Sequence, residues 1–404
     1  MAASKKNTGA RVMAAALQLT DQLVGWRRHI HRNPEPSMQE HQTAAYVVDE
    51  LAALGLTEVR TGVGETGVTC LVRGAKGRKT VGLRADMDAL EILEQTGAAY
   101  ASEIPGLMHA CGHDAHVACL LGAGAILAGM PDALPGNVKL VFQPGEEGSG
   151  GALKMIQDGC LQNPKVSAIA CLHVAADAPS GYVATVRGVK NAQTDEINLT
   201  IHGVSSHAAR PDNGVDAISI AAQVLIAIQQ FIGRHTNALD RKLVTFGTIQ
   251  GGTRRNVLSD SVTLVGTMRT LETPGREALL RFLQKDLRKI VSAMGGKLTV
   301  DIVEGYPPLV NDDGVVDQIE AAAKATVGAE KLLTGRKAGL GGEDFAYFGT
   351  VGAIPAAGFC LGTYDEQKGF TASLHTNRFD FDDTLCLPLG AACLAQTAIE
   401  MLGG

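Results

Sequence analysis

The sequence predicts an α/β protein: a mostly parallel sheet covered by helices, with a smaller α+β domain of ferredoxin-like order inserted into it. Three observations lead there. The chain has 404 residues, and at about 100–200 residues per domain that length predicts two domains. Over the first half, short strand-like runs alternate with helical patterns, the order of a parallel sheet covered on both faces. Beyond Asn191 the pattern becomes strand–helix–strand–strand–helix–strand over about 110 residues, the split βαβ order.

Composition narrows the class. With 45% hydrophobic and 19% charged residues, there is enough apolar material for a sizeable core, which excludes wholesale disorder. The 42 acidic and 36 basic residues leave a net charge of −6, not the electrostatic footprint of a nucleic-acid binder. Eight cysteines are too sparse for a disulfide scaffold. The longest apolar stretches, Val117–Met130 and Ala217–Ile228, fall short of the ~20 residues that span a bilayer. The N-terminus carries Lys5 and Lys6 without an unbroken apolar run, so it is expected to be a short disordered lead and not a signal peptide. A cytoplasmic protein with reduced thiols, no membrane contact and no nucleic-acid partner is the expectation.

The elements follow in order. An amphipathic helix is expected over Arg11–His31, stopping near Asn33-Pro34, and a second over His41–Leu54, ended by Gly55. Strand-like runs fall at Val68–Val72, Thr80–Arg84, Val138–Phe142 and Val166–Val174, with helices at Ala115–Ala128 and Gly151–Asp158 between them. Ile197–His202 alternates polar and apolar residues like a half-exposed strand. A helix over Val215–Arg234, strands at Leu243–Ile249 and Ser261–Met268, a helix over Gly275–Met294 and a strand at Lys297–Val303 complete the insert. After Pro307-Pro308 the chain is expected to return to helix and then to glycine-rich loops. The expected domains are 11–191 with 307–404, and the insert 192–306.

The densest chemical signal is Met108-His109-Ala110-Cys111-Gly112-His113-Asp114-Ala115-His116. Three histidines and a cysteine crowd into eight residues of a chain with 11 histidines. Cys111 and His113 are two apart and cannot share one face of a helix, but a loop turning at Gly112 can aim both inward. Thiolate and imidazole suit Zn, Co or Ni, with Mn also admitted. A second signal is the strand-like run Val138–Phe142 leading into Glu146-Glu147, two carboxylates at the end of an expected buried strand, where ligands gather in open α/β sheets. On extended chain they point opposite ways, one toward a metal and the other toward the substrate water, which suits a metal-assisted general base. Taken alone, such a pair is commonly a solvated turn. His173 ends the buried run Val166–Leu172, and His375 stands in Ser373–Asp380; singly, each is more often a satisfied core residue. Asp86 closes the Thr80–Arg84 run and could orient a ligand imidazole.

These residues carry a resemblance. RRHIHRNPE, GLRADMDAL, MHACGHDAH, FQPGEEGSGGA, SSHAARPDNGVDAI, GGTRRNVLSD, GTMRT, GGEDFAYF and HTNRFDFDD, in this order over residues 26–383, are similar to the aminoacylase, hippurate hydrolase and indole-acetyl-amino-acid hydrolase family of co-catalytic metallopeptidases. The resemblance implies a metallopeptidase domain with an inserted dimerisation (lid) domain. It also implies two divalent ions per subunit (Zn, Mn, Co or Ni) held by Cys111, His113, Glu147, His173 and His375. Glu146 takes the general-base position and Asp86 the orienting acidic one; His207 assists at the scissile carbonyl, and Asn256 and Arg269 match positions that bind substrate carbonyl and carboxylate. A homodimer through the insert, or a tetramer, follows. The implied activity is hydrolysis of N-acyl amino acids to a carboxylic acid and a free amino acid, with dipeptidase or carboxypeptidase action on the same site as the alternative. Two divalent cations offset by one thiolate and one carboxylate leave a net charge of about +2, which acidifies water and attracts anions. The chain departs from the family where an aromatic often follows His173; it reads Val174-Ala175-Ala176-Asp177-Ala178. Arg254-Arg255 add positive charge before Asn256.

Other motifs carry less. Gly62–Gly67 matches G-x-G-x-x-G, but Val68–Val72 continues as strand where the dinucleotide fingerprint needs a helix. His29 and His31 sit at a helix end and are expected to bind no metal. Cys70, Cys119, Cys160, Cys171, Cys360, Cys386 and Cys393 lie mostly in apolar runs and read as buried thiols.

Overall fold

The computed structural model describes residues 2–75, 77, 79–148 and 150–403, with side chains from residue 8 onward. The chain divides into a larger unit, Met1–Lys190 with Val310–Lys337 and Asp344–Gly404, and a smaller one, Asn191–Leu309 with Ala338–Glu343.

The larger unit opens with α1 (Ala2–Gln18), α2 (Thr20–Arg32) and α3 (His41–Ala53), then β1 (Val59–Val63), β2 (Gly67–Val72) and β3 (Thr80–Asp86). The N-terminal lead is helical from Ala2, and the expected single helix is two. At the break the Thr20 hydroxyl donates to the Leu17 carbonyl at 2.7 Å, and the Leu19 amide bonds three residues back to Ala16 instead of four. After a long connection come α4 (His113–Ala128), β4 (Asn137–Gln143), α5 (Gly151–Gln157), β5 (Val166–Pro179), β6 (Val183–Ala184) and β7 (Gly188–Asn191). Gly62–Gly67 forms the turn of the antiparallel β1–β2 hairpin.

The smaller unit runs β8 (Gln193–His202), α6 (Ala217–His235), β9 (Lys242–Gly251), β10 (Ser261–Thr270), α7 (Thr273–Arg281), α8 (Leu287–Ala293) and β11 (Lys297–Glu304). Its sheet is antiparallel in the order β11-β8-β10-β9. The apolar face of α6 (Ile220, Ala221, Val224, Ile228) packs with Leu279, Leu283, Leu287 and Val291 over Leu199, Ile201 and Leu264. The helix expected over Gly275–Met294 is interrupted by a wider turn at Phe282–Asp286.

Returning to the larger unit, the chain adds β12 (Leu309–Asn311), α9 (Asp313–Thr326), β13 (Leu332–Leu333), α10 (Ala346–Thr350), β14 (Ala356–Tyr364) and α11 (Asp383–Leu402). The main sheet has the order β1-β2-β4-β3-β5-β14-β6-β13. Its centre, β4-β3-β5-β14, is parallel, and β3 and β4 are buried at every position, as strands covered on both faces are. Glycine-bearing irregular chain does follow at residues 334–345, but Gly358 and Gly362 beyond it belong to β14, a strand between β5 and β6. Its glycines answer a close approach: a Cβ on Gly362 would stand 2.0 Å from the Pro179 carbonyl oxygen, and glycine in a strand marks such contact. α4, apolar nearly all round, is buried along its length. α11 is long and apolar enough to cross a membrane, but 83% of its most apolar stretch is buried among α1, α2, α4 and α9.

Register places the chemistry. Asp86 pairs with Gln143 across β3–β4, and Arg84 with Cys171 across β3–β5. The ends of β3 and β4 and the middle of the longer β5 therefore lie side by side, at the carboxyl edge where open α/β sheets bind ligands.

Candidate active site

Cys111 and His113 reach that edge through a turn at Gly112, which caps α4 at φ 83°. A Cβ on Gly112 would meet Val174 Cγ2 at 2.5 Å, so both the left-handed backbone and the close packing require glycine. His113 Nδ1 donates to the Asp88 carbonyl at 2.8 Å, and His173 Nδ1 to the Val174 carbonyl at 2.7 Å. Carbonyl oxygens only accept, so both Nδ1 atoms carry protons and Nε2 is the nitrogen that each ring has left for a ligand bond. His173 Nε2 stands 3.5 Å from Cys111 Sγ. His375 Nε2 lies 3.2 Å from the same sulfur and also 3.2 Å from Glu147 Oε1. Two triads thus share one sulfur: Cys111, His113 and His173, and Cys111, Glu147 and His375, each with its ligand atoms within 4.8 Å of one another.

Glu146 and Glu147 sit in the turn after β4. The expectation that they point apart is not what the turn does. One carboxylate oxygen of each lies within 4.8 Å of His113's ring nitrogen and of the other, because residues 146–148 form a turn and not extended chain. Two buried acids grip this turn. Asp88 accepts the Glu146 amide at 3.1 Å and the Glu147 amide at 3.0 Å, one on each oxygen, and Glu40 accepts the Gly145 amide at 2.8 Å.

The Asp86 contact differs from the expected one. Its carboxylate bonds His116 Nδ1 at 2.5 Å and Arg84 at 2.6 Å, while His113 Nε2 is 3.7 Å away. His116 Nε2 accepts the Val174 amide at 2.9 Å, so His116 is satisfied on both sides and braces the backbone after His173. The residue that orients His113 is Asp88, which sequence reasoning missed. Its signal lay in Arg84-Ala85-Asp86-Met87-Asp88, two acids of like face, of which only the fold says which meets the imidazole. His29 and His31 take no part in the triads; His29 stacks on Tyr46, and His31 joins an ion network at the start of α4.

The electrostatics suit a cation. Burial opposes charge on His113, yet Asp86 and Cys111 outweigh it and push its pKa well up. Burial pushes the Cys111 thiol well above its usual range, since the neighbouring charges do not offset the lost hydration. Burial and the nearby His116 keep His173 neutral. His113 Nε2 is buried and makes no hydrogen bond, unusual for a buried polar atom. An unsatisfied ring nitrogen, a thiol that needs a positive partner to ionise, and the carboxylates of Glu146 and Glu147 beside them are a donor set for divalent metal.

In the smaller unit, His207 and Asn256 come together. His207 bridges to Val257, and the Ala208 amide donates to the Asn256 carbonyl at 3.0 Å. Arg269 lies apart from them: Ser261 pairs with His202 at one end of β10, and Arg269 with Thr194 at the other. Its guanidinium is half-buried, bonding the Thr267 hydroxyl and the Met268 carbonyl, and burial lowers its pKa.

With this geometry in view, relatives can be compared. Residues 82–400 match the model of peptidase family M20/M25/M40. The chain is 38% identical over 385 residues to the probable hydrolase sll0100 of Synechocystis sp., covering 95% of this chain and 96% of that one. It is 36% identical over 366 residues to the N-acetyl-L-cysteine deacetylase of Bacillus subtilis, covering 91% and 85%. In three dimensions it is similar to the YXEP protein of Bacillus subtilis, a dinuclear metal binding peptidase from the M20 family, with a TM-score of 0.82 at 28% identity over 96% and 99% of the two chains. Fold and site together are those of a hydrolytic α/β enzyme. The chain belongs to peptidase family M20/M25/M40.

Proposed function

We propose that the protein is a metal-dependent amidohydrolase that cleaves N-acyl amino acids to a carboxylic acid and a free amino acid. The observation that carries this reading is the pair of triads sharing Cys111, with Glu146 beside them. Cys111, His113, Glu147, His173 and His375 are the metal ligands in this reading. Divalent ions held by them would acidify a water and offset charge on a carbonyl oxygen. Glu146, with its backbone amide fixed on Asp88, takes the proton of the attacking water and delivers it to the leaving amine. Asp88 keeps His113 in the ligating tautomer and holds both glutamates in place. His207 keeps the role the resemblance gives it, a donor to the developing oxyanion, and Asn256 and Arg269 keep theirs at the substrate's carbonyl and carboxylate. The similarity to a deacetylase of an N-acetyl amino acid supports the substrate class. A homodimer through the smaller unit belongs to the same reading, supported by exposed apolar side chains on α6 (Ile218, Ile226) and on the edge strand β9 (Ile249).

The test is amino-acid release from N-acetyl, N-benzoyl and indole-acetyl amino acids and from dipeptides, after chelation and after return of Mn, Co, Ni or Zn. Metal-restored release from the acylated substrates is the expected outcome. Release that survives chelation, or release from dipeptides alone, overturns the reading.

A further inference from the structure

The segment carrying Cys111 and His113 and the segment carrying His375 are far apart in sequence, yet the triad of Cys111, Glu147 and His375 needs them in register. One backbone bond joins them directly, and a second ties the His375 segment to the connection that leads into α4. The His375 amide donates to the Ala110 carbonyl at 2.9 Å, and the Gln95 amide donates to the Asn377 carbonyl at 2.7 Å. Gln95 follows Glu94, in the connection between β3 and α4. Asp114 follows His113, in the first turn of α4. Between these two carboxylates sits His31, from the last turn of α2, with 1% of its surface exposed.

His31 Nδ1 lies 2.8 Å from Asp114 Oδ2, and His31 Nε2 lies 3.3 Å from Glu94 Oε1. Carboxylates accept and do not donate, so both ring nitrogens carry protons and the ring is an imidazolium. Glu94 in turn shapes its own loop, accepting the Ser102 amide at 2.7 Å and the Thr96 hydroxyl.

We propose that His31 is a positioning residue: clamped between Asp114 and Glu94, it locks the segment bearing Cys111 and His113 to the segment bearing His375. The inference rests on the metal-ligand reading above. Asp114 has a second cation, Arg27, whose Nε lies at 3.0 Å and whose other end reaches Asp380 at 2.8 Å. Among the described residues, Glu94 bonds no such second cation. Loss of His31 therefore frees the Glu94 side first, and with it the Gln95 grip on Asn377. His375 needs that grip. It is the exposed member of the ligand set and stands at φ 60°, a left-handed conformation unfavourable for a non-glycine residue and held only when the surroundings over-determine it. The surroundings favour the charged ring. Burial alone would lower the His31 pKa, and Arg27 on the same helix opposes the charge, yet Asp114 and Glu94 outweigh both and hold it at about 9. Tyr100 meets the ring edge-on at 5.8 Å, and the neighbouring His109 is neutral, lowered by burial to about 4.

The experiment titrates cobalt(II) into metal-stripped full-length protein, followed by calorimetry and by the ligand-field absorbance of the two bound ions. In His31→Gln, one cobalt step is expected to weaken by about tenfold or more while the other moves by less than about threefold, the size of effect expected of a residue supporting a ligand. Glu94→Gln is expected to weaken the same step. The double variant should be no weaker than the more severe single one, because both remove one clamp. Equal weakening of both steps, weakening of neither, or simple addition of the two single effects overturns the proposal. Should His31→Gln not fold, Glu94→Gln, in a half-buried loop, decides by the same criterion. If wild-type protein takes up fewer than two cobalt ions, the ligand reading itself fails and the clamp falls with it; two normal steps in both variants sink the clamp alone.

Discussion

His113 and His375 each stand in a triad with the same sulfur, and they are held by different means. His113 is fully buried, its tautomer set by the Asp88 carbonyl at 2.8 Å. It stands on α4, which is packed along its whole length. His375 has 53% of its side chain exposed, lies on irregular chain at positive φ, and owes its place to backbone bonds with Ala110 and, through Asn377, with Gln95. Its pKa is raised, chiefly by the bond to Glu147. One half of the site is preformed by core packing; the other is assembled by long-range tethers. Local stability should follow, since few buried contacts and exposed backbone mark segments that open easily.

Substitutions can break this contrast or sharpen it. Glu146→Gln touches neither half and removes only the base. Turnover should fall by about a thousandfold or more, with metal content near wild type by elemental analysis, and unchanged turnover would remove the base assignment. Cys111→Ala removes the atom common to both triads, so metal content should collapse in both halves together; full occupancy would refute the shared ligand. Asp88→Asn leaves the backbone carbonyl in place but strikes the buried half through the carboxylate, whose Oδ1 lies 3.2 Å from His113 Nδ1 and which holds the glutamate turn. Metal affinity should weaken by about 10–100-fold, and a loss confined to kcat, with affinity intact, would show that the turn holds without it. His375→Ala should cost the exposed half alone, one ion of two, and loss of both would erase the contrast.

The smallest effect is on stability against pH. The folded-state pKa of His31 is about 9, above its ordinary value of about 6.5, so its stabilisation is complete below about pH 6.5 and is lost as pH rises through 9. A shift of that size corresponds to about 3 kcal/mol. Denaturant unfolding between pH 7 and 10 should show a decline that is shallower in His31→Gln; parallel declines would mean that His31 is not the group titrating.

Much of this was legible in the chain because it is local. β3, β4 and the first part of β5 are mostly apolar runs, β3 and β4 broken in their middles by Arg84 and Lys139, close to the pattern of strands buried on both faces. Cys111-Gly112-His113 and Glu146-Glu147 are compact enough that their residue types alone point to metal chemistry. β14 and α11 were not legible. Gly358 and Gly362 make β14 read as loop until Pro179 is seen pressed against it, and Pro388 and Gly390 interrupt the periodicity of a helix that packing nonetheless keeps whole.

The sequence by itself determined the α/β class, the residue types of the donor set and the presence of a paired acid at a strand end, since composition and short-range pattern suffice for these. Only the tertiary structure decided which acid serves which imidazole. Asp86 and Asp88 are two residues apart and share a face, and nothing in their spacing says that one meets His116 and the other His113. That choice follows from the register of β3 against β4 and β5 and from the left-handed turn at Gly112, which aims His113 at one carboxylate and leaves His116, one helical turn on, to the other.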